Sequence, residues 1–320
     1  MALPGAAAPG ALNGPASPGA LNGPASPGAP DAHVARGAGA GYAPQSGCGV
    51  GCLPRSDAVP AAGPLRRAAR YAGLVLLMPA ALALAAAMPL LPGRARRAAV
   101  RGWFRALLRA AGVRGHVGGA PLGATPALVV ANHVSWLDIP ALLAVGTMRV
   151  VAKSDVRGWP LVGALAARVG TIFIDRTRLR SLPRTVADVA TALRSGHSVL
   201  AFPEGSTWCG RVGGRFHPAV FQAAADARVP VRPVSLTFRL ADGTPTTVAA
   251  FVGEESLLDS VRRVVATRGL VVEVTVRRPV EPVPSHGAGP ARPSSARRTL
   301  ALLAHAESVG PTPERGPTNR

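Results

Sequence analysis

The sequence is poor in acidic residues and contains almost no lysine. Of 320 residues, 36 are Lys or Arg and 16 are Asp or Glu, which gives a formal net charge of +20, and Lys153 is the only lysine. No acidic residue lies between Asp57 and Asp138. That interval instead carries ten arginines: Arg66, Arg67, Arg70, Arg94, Arg96, Arg97, Arg101, Arg105, Arg109 and Arg114. A basic excess attracts nucleic acid or an anionic membrane surface. Because these arginines flank apolar sequence, we expect the membrane surface as partner and no nucleic acid.

Cysteine and the common glycine-based catalytic motifs are also scarce. Cys48 and Cys52 stand one residue further apart than in CxxC, and Cys209 is alone, so the spacing indicates neither a disulfide framework nor a zinc site. We therefore expect no metal and no role for these thiols. The sequence has no GxSxG, which disfavours an α/β-hydrolase. It also lacks GxxxxGK[ST], and no GxGxxG stands between a strand and a helix, which disfavours nucleotide chemistry.

Large apolar side chains are rare at both ends of the chain. Residues 1–62 are rich in Ala, Gly, Pro and Ser and repeat GALNGPASP at 10–18 and 19–27. Such a segment cannot bury enough apolar surface to offset the entropy lost on ordering. We expect residues 1–62 to be a disordered arm. Residues 285–320, rich in Pro, Ala and Arg, are expected to be a C-terminal tail with a short helix at 295–307.

Residues 63–115 have the composition of membrane-associating helices. Tyr71–Gly93 carries no charge and is long enough to cross a bilayer, which takes about 20 residues. The sequence allows three interpretations of this segment: a membrane-spanning helix, a helical hairpin in the membrane interface, or a buried core helix. In 94–111, arginines recur every three or four residues, opposite Phe104 and Leu108, which predicts an amphipathic helix. We expect this helix to lie in the membrane interface with its apolar side toward lipid; packing on the domain is the alternative.

Residues 116–284 alternate between short apolar runs and helical patterns. Strands are expected at 127–132, 149–152, 171–174, 198–202, 231–238 and 270–276. Helices are expected from 140 onward and at 160–168, 183–194 and 216–228. This alternation predicts an α/β domain with a mostly parallel central sheet flanked by helices. Functional groups of such sheets gather in the loops beyond the strand ends.

The first polar cluster, residues 132–138, follows the first predicted strand. On a continuous helix His133 and Asp138 would lie about 140° apart. A turn between strand and helix instead lets Asp138 accept a hydrogen bond from one imidazole nitrogen and leaves the other nitrogen free as a base. A hydroxyl nucleophile needs such a base at neutral pH. Asp138 also suits a helix N-cap ahead of Pro140, and the two roles are compatible.

A second cluster follows the predicted strand at 198–202. Gly205 permits close backbone approach, and the amides of Ser206 and Thr207 can form an anion-binding concavity. Glu204 beside that concavity can orient an acceptor hydroxyl. An ordinary Pro-Gly turn is the alternative interpretation.

An arginine ends a third segment between these two clusters. Arg176 follows the predicted strand at 171–174, where an arginine is a natural partner for a phosphate. A surface ion pair with Asp175 is the alternative.

The order and spacing of four blocks resemble one known family. NHVSWLD at 132–138 fits the NHx4D signature of the lysophosphatidic acid acyltransferase family, also called 1-acyl-sn-glycerol-3-phosphate acyltransferases. GTIFIDR at 170–176, FPEG at 202–205 and VPVRPVSL at 229–236 look like its other three blocks. The resemblance extends over roughly residues 65–280.

The resemblance implies a role for each matching residue. His133 is then the general base and Asp138 its orienting partner. The acceptor and its phosphate would be bound by Arg176, Glu204, Gly205, Ser206 and Thr207, and Pro233 would shape the acyl pocket.

The resemblance also implies the reaction. An acyl group would pass from acyl-CoA or acyl carrier protein to the free hydroxyl of a membrane lysophospholipid, with no metal or bound cofactor. The expected acceptor is 1-acyl-glycerol-3-phosphate, which would give phosphatidic acid. The expected location is the cell membrane, with the catalytic domain on the cytoplasmic face.

Two departures from the family pattern affect the acceptor. Ser206 and Thr207 stand where many relatives carry Thr-Arg, and 216–219 read FHPA where Phe-Lys-x-Gly is common. Two phosphate contacts are therefore missing, although Arg211 and Arg215 can replace them. A lyso-ornithine lipid or another lysolipid stays open as acceptor. An alternative from another class is a non-catalytic lipid- or nucleic-acid-binding protein, which would bind with a steep salt dependence and form no acyl product.

Overall fold

The computed structural model describes residues 45–159, 162–175, 178–282 and 293–309. The strands are β1 (Val113–Gly119), β2 (Leu128–Ala131), β3 (Arg149–Lys153), β4 (Ile172–Ile174), β5 (Val199–Ala201), β6 (Val231–Arg239) and β7 (Leu270–Val276). The α-helices are α1 (Pro64–Ala87), α2 (Gly93–Ala110), α3 (Asp138–Val145), α4 (Val162–Arg168), α5 (Leu182–Arg194), α6 (Phe221–Ala227), α7 (Leu257–Ala266) and α8 (Pro293–Val309).

The described strands form one seven-stranded sheet in the order β1-β7-β6-β2-β5-β3-β4. Every pair of neighbours is parallel except β6 and β7, which run antiparallel. Helices cover both faces of this sheet, as βα alternation requires. The predicted α/β class with a mostly parallel central sheet is confirmed.

The hydrophobic core lies on both faces of the sheet. β2 is buried along its whole length, which fits its position in the middle of the sheet. Its side chains alternate: Leu128 and Val130 join the cluster formed with α5, α6 and α8, while Val129 and Ala131 join the larger cluster on the other face. The chain leaving β2 therefore emerges from a rigid, fully buried strand.

Helices α1 and α2 form a close antiparallel hairpin. A Cβ placed on Gly73 of α1 would lie 3.2 Å from the Cβ of Ala110 of α2, so the helices touch there. Together with the 3₁₀ turn that follows α1, residues Pro64–Leu90 form a helix long and apolar enough to cross a membrane. Val75 and Leu76 on it are each 68% exposed. One apolar helix of this kind is therefore a candidate membrane segment.

The structure corrects the expected orientation of the amphipathic helix. α2 is helical, as its arginine spacing predicts, but its apolar side packs on the protein and not toward lipid. Leu108 is buried and Phe104 packs against the larger core cluster, while Arg97 and Arg105 remain exposed. An apolar stripe is buried equally well by protein, and the sequence alone does not show which surface covers it.

Part of the predicted disordered arm and part of the predicted tail are packed on the domain. Cys48 and Ala62 are buried, and the Ala62 amide donates to the Ala266 carbonyl over 2.7 Å. The predicted helix at 295–307 is observed as α8, and its Leu300 and Ala304 are buried in the core cluster of α5 and α6. The rest of the expected arm, 1–44, lies outside the described residues, as does part of the expected tail.

Three elements differ from the sequence-based expectation. β1 and α7 were not expected, and β1 begins at Val113, within the segment assigned to the membrane-associating helices. α6 begins at Phe221 instead of residue 216 because the preceding segment forms a loop. The His217 amide in that loop donates to the Pro203 carbonyl over 2.9 Å, which ties it to the FPEG segment.

Candidate active site

Two of the predicted polar clusters lie at the same edge of the sheet. β2 and β5 are parallel neighbours, so the segments that follow Ala131 and Ala201 leave the sheet side by side. These segments carry His133 and Glu204. Each segment follows a buried, apolar strand, and the end of that strand determines where the polar residues begin.

His133 and Asp138 are in direct contact. The imidazole Nδ1 lies 2.8 Å from Asp138 Oδ2, and the aspartate side chain is fully buried. The same oxygen accepts the amides of Val134 at 2.6 Å and Ser135 at 2.8 Å. Asp138 is the first residue of α3, and its carboxylate turns back to fold the chain between β2 and that helix. This turn brings together two residues that a continuous helix would separate.

Two further contacts fix the position of His133. Its ring stacks on the ring of Phe202, with centroids 4.0 Å apart and planes 16° from parallel. Its carbonyl accepts the amide of Trp208 over 2.7 Å. The imidazole side chain keeps 16% of its surface exposed. With Nδ1 facing a carboxylate, Nε2 is the nitrogen available to an approaching hydroxyl.

The carboxylate of Glu204 links the two polar segments. Its Oε2 accepts the His133 amide over 2.7 Å, and its Oε1 accepts the Gly214 amide over 3.0 Å. The side chain is buried. Burial raises the pKa of Glu204 to about 7, and the negative charge of Asp138 contributes, although the two amide hydrogen bonds act in the opposite direction. In this structure Glu204 therefore joins the backbone at His133 to the backbone at Gly214.

Asn132 joins the end of β2 to β6. Its amide nitrogen donates to the Leu236 carbonyl over 2.9 Å, and its amide oxygen accepts the Leu236 amide over 2.7 Å. The side chain thus continues the hydrogen bonding between strands for one residue beyond β2. It sets the position from which the His133 turn begins.

The other predicted acceptor residues have different surroundings. Gly205 adopts a φ of 73°, which favours glycine, and its amide donates to the Phe202 carbonyl. Ser206 is half-buried, and the hydroxyl of Thr207 donates to the Phe251 carbonyl. Arg176 lies outside the described residues.

Pro233, the predicted acyl-pocket residue, is buried in β6. It lies opposite Val130 of β2 in the sheet register. It does not line the cavity beside the FPEG segment.

That cavity has a volume of about 330 Å³ and lies beside the carboxyl ends of β4 and β5. Its volume is within the range typical of small-molecule sites. Its lining is mostly apolar, from β3, β5 and α5, and includes Phe202 and Gly205. The charged or titratable residues on it are Asp175, Arg178, His217 and Arg297. Burial lowers the pKa of His217, and the neighbouring charge of Arg215 acts in the same direction.

Sequence reasoning missed several contacts that hold this site. The stacking of Phe202, the Trp208 amide and the Gly214 amide depend on loops that no periodic pattern predicts. It also missed that Cys48, Cys52 and Cys209 meet, with their sulfur atoms all within 4.8 Å of one another. The expectation that Cys209 is alone is therefore wrong. Only the fold brings a thiol from the loop after β5 next to a distant CxxxC.

Comparisons with known proteins agree with this architecture. A sequence model of the acyltransferase family matches residues 116–237, which include all four blocks. The chain is 36% identical over 260 residues to the lyso-ornithine lipid O-acyltransferase of Pseudomonas aeruginosa, a match covering 78% of this chain and 96% of the relative. It is 34% identical over 155 residues to the 1-acyl-sn-glycerol-3-phosphate acyltransferase of Neisseria gonorrhoeae, covering 48% of this chain and 60% of the relative.

A solved structure has the same fold. The 1-acyl-sn-glycerophosphate acyltransferase of Thermotoga maritima superposes with a TM-score of 0.53 at 15% identity, covering 77% of this chain and 97% of that one. The solved structure shows the fold alone, whereas the match over 96% of the Pseudomonas relative shows the family. The chain therefore belongs to this acyltransferase family, and it is an acyltransferase of the lysophospholipid type.

Proposed function

We propose that this enzyme transfers a fatty acyl group from a thioester carrier to the free hydroxyl of a lysolipid, with His133 as general base. The observation that supports this proposal best is the 2.8 Å contact between His133 Nδ1 and the buried carboxylate of Asp138. A buried carboxylate on one ring nitrogen orients the imidazole and sets the tautomer that leaves Nε2 unprotonated.

The proposed reaction proceeds by direct attack on the thioester. His133 Nε2 removes the proton of the acceptor hydroxyl as its oxygen attacks the thioester carbonyl carbon. The tetrahedral intermediate then collapses, the C–S bond breaks, and the thiolate leaves with the proton that the imidazolium returns. The products are the acylated lipid and the free thiol of the carrier. Acyl-CoA or acyl carrier protein supplies an already activated acyl group, so no resident cofactor takes part in the transfer.

The first candidate acceptor is 1-acyl-glycerol-3-phosphate, which would become phosphatidic acid. The GTIFIDR block supports it, because Arg176 at its end is suited to a phosphate. Gly205, Ser206 and Thr207 would border the acceptor. We propose that Glu204 acts indirectly, since its carboxylate is already bound to the amides of His133 and Gly214.

A lyso-ornithine lipid is the second candidate acceptor. The specific observation in its favour is the match to the Pseudomonas lyso-ornithine lipid O-acyltransferase over 96% of that protein. The absence of the Thr-Arg that many phosphate-binding relatives carry after FPEG points the same way. Both candidates present a free hydroxyl to His133, so the proposed mechanism is common to them.

The N-terminal helices are proposed to hold the enzyme at its substrate. The apolar, exposed helix Pro64–Leu90 and the basic side of α2 would place residues 63–115 against an anionic membrane. The acyltransferase domain, residues 116–284, would then work on the cytoplasmic face, where acyl-CoA and acyl carrier protein are present.

The decisive experiment is a substrate panel. The purified full chain is incubated with radiolabelled acyl-CoA or acyl carrier protein and, separately, 1-acyl-glycerol-3-phosphate, lyso-ornithine lipid and other lysolipids. We expect one lysolipid to become acylated by the native chain and not by His133→Ala. Absence of acylated lipid with every pair of substrates would overturn the proposal, and the identity of the product decides between the two acceptors.

A further inference from the structure

The three cysteines of the chain form a single cluster beside the candidate active site. Cys48 and Cys52 come from the segment before α1, and Cys209 comes from the loop after β5. Their sulfur atoms all lie within 4.8 Å of one another. The Cys209 amide also donates to the Cys48 sulfur over 3.3 Å. This is the whole thiol content of the chain, because the sequence has three cysteines.

Local backbone structure places the first two thiols together. Residues Val50–Cys52 form a 3₁₀ turn, in which the Cys52 amide donates to the Gly49 carbonyl over 2.9 Å. The turn brings the two ends of the CxxxC spacing to one side of the chain. The Cys52 carbonyl accepts the hydroxyl of Thr247 over 2.7 Å, which fixes the turn on the domain.

We propose that Cys48, Cys52 and Cys209 bind a zinc ion. Thiolate sulfur is the ligand that zinc prefers in structural sites, at about 2.3 Å, so sulfurs around a tetrahedral ion lie about 3.8 Å apart. The observed cluster needs only small side-chain movements to reach that spacing. A disulfide would use two of the thiols and leave the third beside it without a partner, whereas a metal ion uses all three.

A solvent-derived ligand would complete the tetrahedron. Among the described residues no fourth thiol, imidazole or carboxylate joins the cluster. Cys48 and Cys209 are buried, but Cys52 is partly exposed, so the fourth position has access to water. Three thiolates with one ion leave a single negative charge in a strongly basic protein.

The zinc would cross-link the segment 45–53 to the loop after β5, which carries contacts to His133. The loop after β5 contains Gly205, Gly210, Gly213 and Gly214 and has no helix or strand. These four glycines leave the backbone of the loop more conformational freedom than other residues would, so an added tether restricts it further. The residue before Cys209 is Trp208, whose amide donates to the His133 carbonyl. We therefore assign the zinc a positioning role and no part in the acyl transfer.

Metal analysis of the full chain tests the site. The chain is purified in detergent without chelators and without a metal-affinity step, and bound metals are measured by mass spectrometry. We expect about one zinc per native chain and three thiols that react with a thiol reagent only after a strong chelator is added. Cys52→Ser should lose the zinc, whereas Ser56→Ala, a nearby exposed serine, should keep it.

A second measurement covers the case in which the cysteine variant does not fold. The native chain, stripped of metal and reloaded with cobalt(II), should show the sulfur-to-cobalt charge-transfer bands and visible absorption of tetrahedral thiolate sites. Chelation should also lower its unfolding midpoint. Three freely reactive thiols without bound metal, a disulfide found by mass spectrometry, or no thiolate spectrum with cobalt would each overturn the proposal.

Discussion

The imidazole of His133 is constrained by groups that come from different parts of the sequence. Asp138 binds Nδ1, Phe202 covers one face of the ring, and the backbone is bonded to Glu204 and Trp208. Two of these four contacts are made by the backbone of residue 133, and Asp138 also accepts the amides of Val134 and Ser135. A substitution that removes only the ring therefore leaves the loops in place.

His133→Ala should abolish most activity while the protein remains folded. General-base assistance is worth about 10²–10⁴ in rate, so we expect kcat/KM to fall by at least about 10². The matched control is His197→Ala, which removes an exposed imidazole between α5 and β5 and should retain activity. Circular dichroism and thermal unfolding check the fold. A turnover within a few-fold of the native enzyme would remove His133 from the mechanism.

Glu204 should make stability depend on pH near neutrality. Its pKa is raised from 4.5 to about 7 in the folded chain. A carboxyl with a raised folded pKa favours folding in its neutral form, so this contribution is complete below about pH 4.5 and is lost as pH rises through about 7. The upper limit of the loss is about 3.5 kcal/mol, from about 1.4 kcal/mol per pKa unit.

Glu204→Gln tests this titration. Glutamine removes the ionisation and keeps a similar shape, although one of the two amide donors then loses its acceptor. The difference in unfolding midpoint between native and variant chains, measured from pH 4.5 to 8, should shift in favour of the variant as pH rises. A difference that does not change with pH would show that Glu204 is not the titrating group.

At the scale of elements, the close contact of α1 and α2 depends on a glycine. A Cβ at Gly73 would lie 3.2 Å from Ala110 Cβ, which is tighter than ordinary contact. Trp103 of α2 also donates its indole N–H to the Leu77 carbonyl of α1 over 3.3 Å. The two helices therefore cannot move apart without breaking the hydrogen bond between Trp103 and Leu77.

Gly73→Val should destabilise this hairpin. Overpacking of a close contact costs about 1–3 kcal/mol, and we expect a lower unfolding midpoint in detergent. Gly102→Ala on α2 is the matched control because a Cβ there meets nothing within 4 Å. That control should be neutral or stabilising by up to about 1 kcal/mol. Equal midpoints for Gly73→Val and the native chain would contradict the observed packing.

Elements were predictable from sequence where their pattern was strong. β2 and β5 are continuous apolar runs, and α5 has a clear helical period. The sequence therefore predicted these strands and this helix with errors of only one residue at their ends. β1 was missed because VRGHVGG contains three glycines and is exposed along most of its length. It is an edge strand whose pairing with β7 comes from the fold and not from its side chains.

At the scale of the whole molecule, α1 carries more of the exposed large apolar side chains than any other element among the described residues. Val75 and Leu76 are each 68% exposed on a helix that carries no acidic residue. In water such a patch is unfavourable, so its retention indicates a partner surface. A bilayer satisfies an exposed apolar helix flanked by arginines.

The double variant Val75→Asp with Leu76→Asp should release the enzyme from membranes. Two carboxylates on this face oppose insertion, because a charged side chain within hydrocarbon costs several kcal/mol. The measurement is the fraction that sediments with membranes after a high-salt wash. Leu302→Asp is the control, since Leu302 is 71% exposed on α8, away from the apolar helix. Unchanged sedimentation of the double variant would separate α1 from membrane binding.

The residues of the candidate site were predictable from sequence where they lie together in short continuous motifs. NHVSWLD and FPEG each follow a buried strand, so their meeting at one sheet edge follows from parallel pairing of β2 with β5. The thiol cluster was not predictable in this way. Cys48 and Cys209 are 161 residues apart and meet through the path of an irregular segment, which no local pattern encodes.

The double hydrogen bond of Asn132 to Leu236 limits what can occupy position 132. The side chain must donate and accept at once, and it must do so at the reach of one methylene. Aspartate would direct an oxygen at the Leu236 carbonyl, serine would be too short to reach both groups, and glutamine would push β6 outward. Any of these would weaken the link between β2 and β6 at the point where the chain turns toward His133, so the Asn132 amide helps to fix the place from which the imidazole is presented.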